Sequence, residues 1–96
     1  MDTVYNIAIS IRMPQGMMEI GTFFLGPDSD FANNVFDSLE GDLTSTDDAL
    51  IRIDLERKDK DTLPVLLKST RCTLNQYAEN CKIIIRDVFK FFALEK

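Results

Sequence analysis

Cys72 and Cys81 are the side chains with the clearest chemical potential, in a chain of 96 residues. Cys72 is expected just before a helix N-terminus, where the dipole lowers a thiol pKa, so it is the one candidate for reactivity. Cys81 falls on the apolar stripe of the same helix and reads as a core thiol. With Cys81 inside the helix, about 13 Å of helical rise separates the two. A disulfide needs Cα atoms within roughly 7 Å, so both are expected to stay reduced. The chain contains no His. That removes the commonest general base and metal ligand, and with it the Ser-His-Asp and Cys-His arrangements.

Other constellations fail on spacing. Asp28, Asp30, Asp37, Glu40, Asp42, Asp47 and Asp48 form an acidic stretch. A calcium loop starting at Asp28 needs a ligand at its fifth position, Gly at its sixth and Glu at its twelfth. Ala32, Asn33 and Leu39 stand there instead. Gly21, Gly26 and Gly41 are isolated and make no phosphate-cradling motif. Lys68, Arg71, Lys82, Arg86 and Lys90 could touch phosphate. Glu79 and Asp87 interrupt that field, and no aromatic is interleaved to stack bases. No catalytic residue, metal ligand, cofactor or nucleic acid is therefore expected.

Charge is uneven. Residues 1–56 carry two basic side chains against eleven acidic ones, and residues 57–96 carry nine against five, for a net −5. An acidic chain repels polyphosphate over most of its surface. This polarity reads as solvated charge, or as a bias toward head-to-tail association. No 18-residue apolar run is present, so no membrane contact is expected. The opening Met1-Asp2-Thr3 does not resemble a signal peptide, and a cytoplasmic location is expected.

The elements that must position any site follow from two periods. Residues 4–13 alternate, with Tyr5, Ile7, Ile9, Ile11 and Met13 on one face. Pro14-Gln15-Gly16 is turn chemistry, and residues 17–25 complete a hairpin. Phe31, Ala32, Val35, Phe36 and Leu39 then follow helical spacing, with Gly26 or Asp28 as N-cap and Gly41 past the end. Residues 49–57 alternate again. Residues 63–72 read as a strand, because Pro64 and Ser69-Thr70 suit a helix interior poorly. Thr73 with Gln76 is a capping box, and an apolar stripe from Leu74 to Phe92 predicts a long helix.

The order is ββαββα in one domain spanning 1–96. The expected architecture is α+β, a two-layer four-stranded antiparallel sheet with both helices on one face. The halves, about 1–46 and 47–96, superpose at an offset of 46 and read as a duplicated ββα unit. Phe31-Ala32-Asn33-Asn34 falls on Tyr77-Ala78-Glu79-Asn80 in that alignment.

Two strands carry apolar residues on both faces. Strict alternation places Met17, Phe23, Leu25, Val65 and Leu67 on the sheet face away from the helices, where an apolar patch marks a contact site. The expected function is a non-enzymatic module that self-associates as a homodimer, or docks a protein partner, through that face. A domain binding a small apolar ligand is the alternative, and an enzyme working without His is a further one.

Overall fold

A computed structural model describes residues 3–41 and 50–94. β1 (Val4–Met13) and β2 (Gly16–Gly26) form the first hairpin, followed by α1 (Ser29–Asp37). Of the two candidate N-caps it is Asp28 that closes α1, its Oδ1 accepting from the Phe31 N–H at 2.9 Å. β3 (Ile51–Lys58) and β4 (Val65–Cys72) form the second hairpin, followed by α2 (Leu74–Phe89) and a π-helical turn (Lys90–Leu94). The capping box is present: Thr73 Oγ1 accepts from the Gln76 N–H at 3.2 Å, and Gln76 Oε1 accepts from the Thr73 N–H at 2.9 Å.

The strand order is β2-β1-β3-β4, antiparallel throughout. Ala32, Val35 and Phe36 of α1 and Ile84 of α2 meet Tyr5, Ile7, Ile9, Ile51, Ile53 and Leu55 in one buried cluster, so both helices cover the same face. A fully buried Ile or Leu stabilises by about 1.5–3 kcal/mol, which makes this layer contact the main support of the fold. At one end the π-helical turn swings Phe91 onto Phe31, with ring centroids 4.0 Å apart and stacked. Phe92 meets the same two rings edge-on.

Both edge strands depart from strict alternation. Between Ile9↔Gly21 and Ser10↔Glu19, the residue Ile20 has no partner, and between Tyr5↔Gly26 and Asn6↔Phe24, Leu25 has none. Between Leu55↔Lys68 and Glu56↔Leu66, Leu67 is the extra residue. Each is a β-bulge, and one extra residue reverses which face the rest of the strand presents.

The expected placement of the interface residues is corrected accordingly. Phe23 stands opposite Ile7 and packs against the core beneath the helices. Leu25 is fully buried in that core. Val65 stands opposite Arg57, in line with Tyr5 on the helix-covered face. Leu67 is a bulge residue, and Met17, opposite Arg12, is the one of the five that takes a paired position on the open face.

The two hairpin-plus-helix halves share one bulge position but differ in strand length, helix length and the burial of their helices. The bulges opposite Ile9/Ser10 and Leu55/Glu56 lie at equivalent places in β1 and β3. In the helices the burial pattern shifts: Asn80 is buried like Val35, whereas Asn34 is exposed. The Phe31–Asn34 and Tyr77–Asn80 segments therefore do not occupy equivalent surroundings.

Candidate docking surface

The open sheet face is charged at its centre. One cross-strand row is Glu19, Ser10, Arg52 and Arg71; the next is Thr22, Ala8, Asp54 and Ser69; a third is Phe24, Asn6, Glu56 and Leu66. Asp54 is only 7% exposed, and it is hydrogen-bonded as a buried charge must be. Its Oδ1 accepts from Arg52 Nε at 2.9 Å and from Ser69 Oγ at 2.6 Å. Burial, followed by the nearby Glu19 and Asp54 carboxylates, raises the Glu56 pKa above the usual carboxylate value; Arg52 opposes this. Apolar Phe24 and Leu66 sit at the two ends of their row, on opposite edge strands. This face is a polar network with apolar ends, not the apolar patch expected from alternation.

The structure departs from expectation at Cys81, which is half-buried rather than part of the core. Cys72 is the buried one, and burial pushes its pKa up to about 11. Desolvation outweighs the helix terminus here, so Cys72 is not activated. Cys81 is half-buried, and its hydrogen bond with Tyr77 is the main reason the Tyr77 pKa is raised. Both thiols are free.

Two depressions are lined by charged groups. One, of about 550 Å³, is bordered by Thr3, Tyr5, Pro27, Arg57 and Asp59. Asp59 is already engaged there: its Oδ1 accepts from Thr3 Oγ1 at 2.6 Å, and its Oδ2 lies 3.5 Å from Arg57 Nε. The second contact is an ion pair without an aligned hydrogen bond, since Arg57 Nε has no hydrogen-bond partner. The other depression, about 170 Å³, lies between the helices and is bordered by Phe31, Asn34, Val35, Asp87 and Lys90. Neither matches the apolar lining of a typical small-ligand site. Among the described residues, no cluster of three or more Cys, Asp or Glu could hold a metal ion.

A set of exposed apolar side chains aligned on one arc lies on α2. The stripe expected from Leu74 to Phe92 is wider than one buried helix face, and the structure divides it. Tyr77, Ile84 and Val88 turn into the core, joined by the buried polar Asn80. Leu74, Ile85 and Phe89 remain exposed by 59%, 60% and 58%, with Ala78 exposed between them. At 3.6 residues per turn these four fall within about 60° of arc. Glu79, Lys82 and Arg86 border them on the solvent side, with Lys82 ion-paired to Glu79 and Arg86 to Asp87. Sequence reasoning missed this second stripe because it treated all the apolar positions as one face. The signal was the width of the pattern, which exceeds the roughly 100° arc that a core-facing helix needs.

Comparison with protein-family profiles, with curated proteins and with solved structures found no match. No helix among the described residues is long and apolar enough to cross a membrane.

Proposed function

We propose that this chain is a non-enzymatic protein-docking module whose contact surface is the exposed apolar stripe of α2. One observation carries the reading. Three large apolar side chains about 60% exposed share one narrow arc of a well-capped helix. Scattered exposed apolar residues need no explanation, but an aligned set bordered by charge is the anatomy of a contact surface. Exposed Met17, Met18, Phe24, Val65 and Leu66 are instead divided between the two faces of bulged edge strands. The polar centre of the open sheet face favours docking through α2 over docking through the sheet.

The chain contains no His, and both Asp54 and Asp59 are held by hydrogen bonds and ion pairs. These features support binding over catalysis. A photo-crosslinking amino acid at position 85, introduced in the cell that makes the protein, tests the reading. It is expected to give a discrete covalent protein adduct, and the same group at exposed Gln15 is expected to give none. Equal labelling at both positions, or none at 85, would count against docking through α2.

A further inference from the structure

We infer that the partner on this stripe is a second copy of the chain, bound by antiparallel packing of α2 against α2 about a two-fold axis near Cys81 and Lys82. The inference rests on the docking reading. Its first support is the spacing of the stripe. Leu74, Ala78, Ile85 and Phe89 are symmetric about the middle of α2, which itself runs Leu74–Phe89. Reversing one helix over the other therefore sets Leu74 across from Phe89 and Ala78 across from Ile85 along the full helix. Each contact pairs a large side chain with another apolar one, and Ala78 leaves room for Ile85. Closed two-fold dimers need such a self-complementary patch.

Charge supplies the second support. In antiparallel helix pairs each flank meets the same flank of its mate. Glu79 then stands between Lys82 and Arg86 of the other copy, whereas in parallel packing each flank meets the opposite flank of its mate and Glu79 faces neither cation. Lys82 and Arg86 are 75% and 59% exposed on their side chains, so both can reach across.

The extent of the patch sets the strength. Three large side chains at about 60% exposure, with Ala78, offer on the order of 400 Å² per copy. A standard interface uses roughly 800 Å² per partner, so a reversible dimer is expected rather than an obligate one. Pairing of edge strands is the competing route between copies. The bulges at Ile20, Leu25 and Leu67 interrupt both edges and disfavour it.

Sedimentation equilibrium of the full chain over a concentration series tests the dimer. The wild type is expected to move reversibly between monomer and dimer. Phe89→Lys and Ile85→Lys should each weaken association about tenfold or more while keeping the wild-type circular dichroism. Glu79→Arg and Arg86→Glu should each weaken it, and the double variant should recover it to within a few-fold. These two charges are exposed, so the exchange reads the interface without disturbing the core. A wild type that stays monomeric throughout, or a double variant no better than the singles, overturns the second-copy inference. The Ile85 photo-adduct separates the two readings. An adduct with another protein overturns the second copy and leaves docking in place, whereas no adduct overturns docking itself.

Discussion

The buried carboxamide of Asn80 pairs with both backbone groups of Glu40. The Glu40 N–H donates to Asn80 Oδ1 at 2.7 Å, and Asn80 Nδ2 donates to the Glu40 carbonyl at 2.7 Å. Asn80 is fully buried, and through this pair α2 holds the chain where it leaves α1. Asn80→Ala leaves two backbone groups without partners and a cavity beside them. It is expected to cost about 2–4 kcal/mol by urea denaturation. Asn80→Asp keeps the acceptor but sets a carboxylate oxygen against the Glu40 carbonyl. Its folded pKa is then raised, so the variant is least stable at neutral pH and recovers toward acid, where the protonated carboxyl can donate. A loss independent of pH would show that the second hydrogen bond contributes little.

Adjacent phenylalanines in β2 should behave oppositely. Phe23 packs against the core, whereas Phe24 is 59% exposed. Phe23→Lys is expected to lower stability by about 2–4 kcal/mol, and Phe24→Lys by less than about 0.5 kcal/mol. Thermal unfolding of the pair decides whether the bulge at Ile20 is in place, because an unbroken alternation from the turn would reverse the result.

Gly41 marks a close backbone approach. A Cβ there would lie 2.8 Å from the Arg71 carbonyl oxygen and 2.5 Å from Thr70 Oγ1. A carbonyl in a paired strand cannot yield as a side chain can. Gly41→Ala is expected to destabilise by about 1–3 kcal/mol. Gly21, on the opposite edge strand with open space at its Cβ, serves as the control and should accept Ala at little cost. Comparable melting temperatures for the two variants would contradict the contact.

Thiol chemistry should divide by burial. At pH 8 in native buffer, Cys81 is expected to react slowly with iodoacetamide and Cys72 not at all until the chain unfolds. The folded Cys72 pKa, about 11, lies above the value of an unfolded thiol. Its contribution to stability is therefore full below about pH 8.5 and is lost as pH rises through 11. Cys72→Ala should remove that part of the alkaline loss. An unchanged alkaline profile in the variant would assign the loss to other groups.

Glu56 is ionised against its surroundings. Burial and the Glu19 and Asp54 carboxylates raise its pKa, so its contribution is complete in acid and declines as pH rises through the folded value. Glu56→Gln should therefore be more stable than the wild type at pH 7, by less than about 1 kcal/mol on so solvated a face. The difference should vanish near pH 4, below the reference value for a free Glu. A variant less stable at pH 7 would mean that Glu56 is held by a favourable partner.

Local pattern alone determined the elements of this protein. Alternation in 4–13 and in Ile51, Ile53 and Leu55, helical spacing from Phe31, and the Thr73/Gln76 pair specify strand, strand, helix and cap, because these signals are satisfied within a few residues of backbone. The apolar sides of β1 and β3 also specify which face the helices must cover. The tertiary structure decided the rest. Whether Phe23 points inward depends on Ile20 having no partner across β1, and pairing between strands is not encoded in either strand's period. Asn80 looked like a polar helix position until packing brought it to the Glu40 backbone, where burial and hydrogen bonding satisfy each other. Cys72 stood at a helix terminus that should activate it, but surrounding chain removed it from water, and desolvation prevailed. The apolar width of α2 was visible in its residues. Which half would be left in solvent was settled by the angle at which the helix rests on α1 and the sheet, since that contact can bury only one side of it.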